Sequence, residues 1–302
     1  MARCLYIHIP FCARKCLYCD FLSVPFDRPL SERYVAALAE EIRLRAEEGE
    51  PLETLYIGGG TPTVLEAGQL ARVFEALRES FDFQPGAEVT VEANPGTVDA
   101  GKVDSLLSLG VNRISLGVQS FSDRELRALG RTHTASDAEK ALGLLRGRNF
   151  SVDLIYGIPG QDLKTWGESV SRAMEAGPAH VSAYELTPER GTPLYAALES
   201  KEVSLPSEDA AVEMFLLARE RLEAAGYGHY EISNYALTGR QCRHNLNYWR
   251  RGRYLGLGAG AHSFDGKRRT KNTGDLAAYI DALSRGRPPV EETAVHGAPA
   301  AP

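Results

Sequence analysis

The 302-residue sequence has no apolar run near the ~18 to 20 residues that a bilayer-spanning helix needs. Its first residues, MARCLYIHIPFC, hold a short apolar stretch without a small-residue cleavage site, so no secretory signal is read there. A cationic surplus is also missing. Lys and Arg number 34 against 40 Asp and Glu, and the net charge of -6 argues against a general nucleic-acid binder. Cysteines are few and odd in number, five, with three inside eight positions. That is unlike a disulfide framework and points to a metal site in a reducing compartment, so the chain is read as cytoplasmic. No repeat at a solenoid period is present. The glycine-rich GLGAGAH at 256–262 lacks the spacing of a dinucleotide site, and no Gly-Lys-Ser/Thr follows any glycine loop, which excludes a nucleotide P-loop.

What is present is an alternating pattern. Apolar or β-branched runs occur at 3–9, 54–60, 88–96, 112–120, 151–160 and 180–188, each ending in turn chemistry. Between them, segments such as 31–48, 68–81, 135–148 and 163–177 repeat apolar residues at three and four, the helix period. Ser122 with Glu125, and Ser136 with Glu139, read as capping boxes. Strand and helix alternating six times means parallel strands with right-handed crossovers, hence an α/β fold: a β/α barrel or an open doubly wound sheet. After about residue 190 the pattern changes, with a helix near 207–225 and a last one at 276–286. Three parts are expected: a main domain over 1–235, a C-terminal region over 236–290, and a Pro/Ala-rich tail over 291–302 that does not fold.

Unusual polar residues gather at the C-terminal ends of these strands, the face that carries ligands in parallel α/β architectures. Cys12, Cys16 and Cys19 follow the first strand, Gly58-Gly59-Gly60-Thr61 ends the second, Glu92 closes the third, Gln119 the fourth, and Asp153 lies on the fifth. Thiolates are soft ligands suited to zinc or iron–sulfur clusters. Structural zinc takes four protein ligands in paired knuckles, and the remaining cysteines, Cys4 and Cys242, form no second pair. A [4Fe–4S] cluster held by three thiolates, with one iron left open to a small molecule, fits the count better.

The spacing C-x3-C-x2-C with Tyr18 before the third cysteine, followed by GGGTP, resembles the radical S-adenosylmethionine superfamily. YIHIPFC, CLYCDF, EANPGT, ISLGVQSF, LGRTH, DLIYGIPGQ and CRHNLNYW narrow the resemblance to its coproporphyrinogen-oxidase-like branch, from Tyr6 to about His262. The resemblance implies a partial (β/α)6 TIM-like barrel, a [4Fe–4S] cluster on Cys12, Cys16 and Cys19, and S-adenosylmethionine on the open iron. By motif, the residues implied to bind S-adenosylmethionine are Tyr6, Tyr18, Gly59, Gly60, Thr61, Glu92, Gln119, Arg131 and Asp153. The turn Gly157-Ile158-Pro159-Gly160 is expected to receive a flat ring.

Two departures from the oxidases of that branch stand out. They carry a fourth cysteine where this chain has Phe21, and a long segment ahead of the YIHIPFC motif, where only five residues precede Tyr6 here. Both place the chain with the heme chaperones of the branch. His244 in HNLNYW is then the expected axial ligand of heme, with Cys242 as a thiolate alternative. Tyr248 and Trp249 are expected on the porphyrin face, and Arg240, Arg243, Arg250, Arg251 and Arg253 on the propionates. His8, His133 and His262 read as structural. Expected partners are heme and an acceptor hemoprotein such as a respiratory enzyme, with peripheral membrane contact and a homodimer as further expectations and nucleic acid excluded. The rival reading is an oxygen-independent coproporphyrinogen III oxidase or a related radical enzyme acting on a tetrapyrrole. Relatives usually continue into a further C-terminal domain, which makes this C-terminal region look truncated.

Overall fold

The order in which the strands pair decides between barrel and open sheet. The computed structural model describes residues 3–46 and 51–295. Strand β1 (Cys4–Ile9) leads through β2 (Phe11–Cys12) and β3 (Val24–Pro25) to helix α1 (Arg28–Leu44). Then come β4 (Leu52–Gly59), α2 (Ala67–Ser80), β5 (Phe83–Ala93), α3 (Ala100–Ser108) and β6 (Arg113–Gln119). Helices α4 (Asp123–Ala128) and α5 (Ala135–Leu145) precede β7 (Phe150–Tyr156), and α6 (Leu163–Glu175) precedes β8 (His180–Glu185). β1 and β4 to β8 run parallel, each beside its successor. A doubly wound sheet would need that order to reverse at a switch point. Here it never does, so right-handed crossovers all fall on one face and the sheet curls around its other face.

Helices α7 (Pro193–Glu199) and α8 (Glu208–Ala224) lead to β9 (Gly228–His229) and β10 (Asn234–Ala236), which extend the sheet antiparallel beyond β8. Helix α9 (Arg243–Trp249) follows, and β11 (Leu255–Leu257) pairs parallel with β1 at the opposite edge. The edge strands β11 and β9 do not pair with each other, so the barrel stays partial. A small antiparallel sheet of β12 (His262–Phe264), β13 (Arg268–Asn272) and β14 (Val290–Val295) carries α10 (Leu276–Ser284) between its last two strands.

The helices form where local chemistry says they should. In α1, Asp27 Oδ1 accepts from the Leu30 amide at 2.8 Å, and Tyr34, Leu38 and Ile42, four apart, are buried in the core. In α6, Asp162 and Thr165 form a capping box ahead of buried Trp166, Val170 and Ala173. Two expected caps are corrected. The Ser122 side chain caps nothing; Ser120 Oγ instead takes Glu125 at 2.6 Å and accepts the Ser122 amide. Helix α5 is capped two residues earlier than expected, because Thr134 Oγ1 accepts the Asp137 amide while Asp137 accepts the Thr134 amide. The helix expected over 31–48 starts at Arg28, and its last two residues lie outside the described ones.

The expected partition is corrected as well. Residue 235 falls inside β10, and β11 belongs to the main sheet because its apolar Leu255 and Leu257 complete the β1 edge. The C-terminal region is bolted to α1: buried Glu41 accepts from Gly258 N at 2.7 Å, Asn272 Nδ2 at 2.7 Å and Tyr279 Oη at 2.6 Å. The first part of the tail is ordered too. Val290–Val295 pairs with β13, its backbone satisfying that strand's open edge; residues 296–302 lie outside the described ones. Among the described residues no helix is long and apolar enough to cross a membrane.

Candidate cofactor site

The cysteine loop is closed at its base by the two-residue pairing of β2 with β3, Phe11 opposite Val24 and Cys12 opposite Pro25. Backbone bonds hold its middle: Leu17 N donates to Leu129 O at 3.0 Å, and Leu194 N to Leu17 O at 2.9 Å. All three thiols are free and half-buried. Cys12 Sγ accepts from Thr61 Oγ1 and Cys16 Sγ from Arg131 Nη1, each at 3.5 Å. Burial pushes the Cys12 and Cys19 thiols up; Thr61, Ser23 and Arg131 counter it at Cys12, and the Phe21 backbone and Lys15 at Cys19. Among the described residues no three His, Cys, Asp or Glu side chains stand close enough to hold a single metal ion. Three thiols held apart around one cavity, with a cation beside them, suit a larger anionic cluster better than a lone zinc.

That cavity, about 470 Å³, is lined by Cys12, Cys16, Cys19 and Tyr18, and by Gly59, Gly60 and Thr61. Glu92, Gln119, Arg131 and Asp153 line it as well, so nearly all the residues singled out in the sequence meet in one place. Glu92 accepts from Tyr56 Oη at 2.8 Å and Gly59 N at 3.1 Å. Removal from water is the main cause that pushes its carboxyl up to about 7, with the Tyr56 bond opposing and Asp153 adding to it. Asp153 accepts from Ser115 Oγ at 2.9 Å and Ser182 Oγ at 2.8 Å, and burial raises it too. Gln119 sits at φ 68°, a left-handed conformation unusual for a residue with a side chain, where β6 slips register against β7.

The glycines serve the protein's own packing. A Cβ on Gly58 would lie 2.8 Å from the Glu92 carboxyl, and one on Gly60 would lie 2.6 Å from Phe11 O. Arg131 is anchored by Nη2 on Gly117 O at 2.7 Å, which leaves Nη1 for Cys16. His133 bonds Val118 O at 3.0 Å, and burial followed by Arg131 pushes it down to about 4, so it is a neutral structural residue. His8 likewise is buried between Tyr6 Oη and Leu22 O.

Three expectations do not match the geometry. Tyr6 does not line the cavity; its hydroxyl is turned to His8 Nδ1 at 3.0 Å, and Tyr56 of the adjacent strand faces the cavity instead. The Gly157–Gly160 turn does not reach it either, because Ile158 packs with Leu129, Ile155, Leu186 and Leu194. His244 is no open ligand in this conformation. It is 1% exposed, its Nδ1 lies 2.7 Å from Thr54 Oγ1 and its Nε2 2.9 Å from Tyr248 Oη. Tyr56 stacks on the ring with centroids 5.2 Å apart, and burial pushes the imidazole down to about 3. Cys242 is buried beside Glu88, which also accepts the Arg243 and His244 amides at 3.1 Å. Only the outer side of α9 is open, with Trp249 54% and Tyr248 39% exposed. Arg240, Arg250, Arg251 and Arg253 around it are exposed and form no ion pair among the described residues, whereas Arg243 is bound to Glu53 O and Gly86 O.

Sequence reasoning missed the residues deeper in the barrel: Tyr56, Arg113, Ser115, His180 and Ser182 all line the same cavity. Their one signal is polarity at alternate positions of otherwise apolar strands.

Comparison with known proteins identifies the family. The family model of the radical SAM superfamily matches residues 6–173. The heme chaperone HemW of Haemophilus influenzae is 39% identical over 285 residues, 91% of this chain and 72% of that protein. HemW of Escherichia coli K12 is 42% identical over 269 residues, 85% of this chain and 69% of its own length. Among solved structures, the radical SAM enzyme coproporphyrinogen III oxidase, HemN, of Escherichia coli superposes with a TM-score of 0.84 at 25% identity, covering 97% of this chain and 71% of that one.

Proposed function

The chain belongs to the radical SAM superfamily and within it to the family of the HemW heme chaperones, and from that premise we propose that it binds a [4Fe–4S] cluster, S-adenosylmethionine and heme, and passes the heme to an acceptor hemoprotein. The observation that carries the cofactor part is the meeting of three free thiols, Glu92, Asp153 and Arg131 in one cavity. Cys12, Cys16 and Cys19 would hold the cluster, with Arg131 offsetting its negative charge. When bound, the cluster supplies one-electron reducing chemistry toward the sulfonium of S-adenosylmethionine. Glu92, Gln119 and Asp153, with the Gly59–Thr61 backbone, offer acceptors and donors to the polar parts of that molecule. Tyr6, implied by motif, belongs to the proposed set as well, with its hydroxyl to be turned from His8 Nδ1.

For heme, the open outer side of α9 supports the reading. Trp249 and Tyr248 provide an aromatic surface, and the unpaired Arg240, Arg250, Arg251 and Arg253 provide forks for two propionates. Iron ligation by His244 requires the ligating nitrogen to give up its partner, Thr54 at Nδ1 or Tyr248 at Nε2. Phe21, in the place of the oxidases' fourth cysteine, lines the cavity at 62% exposure and offers a cluster no ligand, which favours the chaperone over the oxidase.

The test is a hemin titration of the anaerobically purified full chain, followed by mixing with an apo-hemoprotein. A saturable Soret shift and loss of heme to the acceptor support the proposal. Absence of saturable binding, or conversion of coproporphyrinogen III to protoporphyrinogen IX, overturns it.

A further inference from the structure

The cavity does not end at the cofactor residues. Arg113 and His180 are the first residues of the parallel strands β6 and β8, so they lie at the opposite end of the strands from the cysteine loop. Both line the cavity, 4% and 1% exposed. Among the hydrogen bonds and ion pairs of the described residues, none ends on the Arg113 guanidinium. Burial opposes its charge, and neighbours led by Cys242 and Glu88 more than offset that, so the guanidinium stays cationic while nothing meets its fork.

His180 has a matching vacancy. Its Nε2 lies 2.8 Å from Tyr230 Oη, while its buried Nδ1 has no partner. The Tyr230 hydroxyl accepts from the Cys242 amide at 3.3 Å and has its own proton to donate to His180 Nε2. That assignment leaves the ring proton on Nδ1, a second buried donor without an acceptor. Burial first, then the Arg113 charge, push the imidazole well below its usual range, so it stays neutral.

The acidic groups nearby are already committed. Glu88 is spent on Cys242 and the Arg243 and His244 amides, Asp153 on Ser115 and Ser182, and Glu92 on Tyr56 and Gly59. None of them comes within ion-pair distance of Arg113. They still surround the site with negative potential, which favours a singly charged ligand group over a dianion.

We propose that Arg113 and His180 form an anion subsite at the floor of the barrel, built for one carboxylate of an organic ligand lying along the barrel axis beneath the cysteine loop. The guanidinium offers a fork for the two oxygens, and the neutral His180 ring closes the floor beside it. Asn245 of α9 lines the same cavity and extends its polar lining onto that helix. The subsite stands independently of the heme reading and of the cluster.

Thermal unfolding of the full chain at pH 7.5 tests it, with sodium propionate as probe and sodium chloride and inorganic phosphate at matched ionic strength as comparators. Propionate at about ten times its Kd raises the midpoint by about 2 °C over chloride, and phosphate does so less. Arg113→Met abolishes the propionate effect yet largely keeps the midpoint without ligand, because no hydrogen bond or ion pair is lost with it. Arg113→Lys, which keeps the charge without the fork, retains part of the effect. Equal responses to propionate and chloride overturn the proposal, as does a propionate response that survives in Arg113→Met. A steep fall of the ligand-free midpoint in Arg113→Met, restored in Arg113→Lys, also overturns it by making Arg113 a structural counter-charge to Glu88.

Discussion

His244 Nδ1 and Thr54 Oγ1 stand 2.7 Å apart, joining α9 to the second parallel strand across 190 positions of sequence. This bond, with the one from Nε2 to Tyr248, turns the residue of the HNLNYW motif into a buried tie between helix and barrel. Replacing one partner leaves a buried ring nitrogen unsatisfied, at a cost of about 1 kcal/mol or somewhat more. Thr54→Val is therefore expected to lower unfolding stability by that amount. If His244 ligates heme iron through Nδ1, the same change tightens hemin binding by roughly fivefold, the equivalent of about 1 kcal/mol, since the competing bond on that nitrogen is gone. A Soret titration of wild type, Thr54→Val and His244→Ala reads this directly. Equal affinities in all three would remove His244 from heme binding.

How much of this was legible depends on whether a residue's partner is local. Three thiols within eight positions and a glycine run at a strand end are local patterns, and the cavity gathers them as the sequence suggests. Thr54 gives no sign that it meets a histidine 190 positions later, so the tie on His244 was invisible. The same holds for Tyr56 and Tyr6. They are neighbours in register on β4 and β1, and nothing in the sequence says that Tyr56 faces the cavity while Tyr6 turns to His8. Ser120 outcompeted Ser122 for Glu125 because the chain bends at the β6 end, a three-dimensional fact. β14 escaped notice because its stability comes from pairing with β13, distant in sequence, and not from its own composition.

Removal of the cysteines separates the cluster from the fold. Cys12, Cys16 and Cys19 lie in a loop held by backbone bonds, so Cys→Ala at all three is expected to change unfolding stability by less than about 1 kcal/mol. Iron and sulfide retained after anaerobic reconstitution should fall to background. Arg131→Met tests the compensating cation: iron content falls in part, because Cys16 loses its donor while all three thiols remain. Full iron loading in the triple variant would refute the assignment.

Glu92 links stability to pH. Its carboxyl is raised to about 7 in the folded chain from an ordinary 4.5. The folded state therefore holds a proton that the unfolded state releases. The stability this gives is complete below about pH 4.5 and is lost as pH rises through 7. The ceiling on the effect is roughly 3 kcal/mol. Glu92→Gln, which cannot ionise, should match wild type near pH 4.5 and exceed it increasingly up to pH 8 in denaturant melts of the cofactor-free chain. His244 and His133, lowered to about 3 and 4, act with the opposite sign, since the unfolded chain takes up protons that these buried rings refuse. Both variants should therefore lose stability as pH falls below about 6.5. Parallel curves for wild type and Glu92→Gln between pH 5 and 8 would show that Glu92 does not carry the shift.

Gly59 is where backbone shape and packing both demand glycine. Its φ is 110°, which side-chain-bearing residues rarely adopt, and an added Cβ would lie 2.5 Å from the His8 ring. The ring cannot retreat, because Tyr6 Oη and Leu22 O hold both its nitrogens. Gly59→Ala is therefore expected to destabilise by roughly 2 to 4 kcal/mol. It also displaces the amide that donates to Glu92, so cofactor binding falls with it. Adding His8→Ala removes the clash but not the φ strain, so the double variant should recover part of the stability and leave a deficit of about 1 kcal/mol or more. Chemical denaturation of the two single variants and the double measures the coupling. Full recovery would mean that the clash alone requires glycine, and no recovery that the backbone angle alone does.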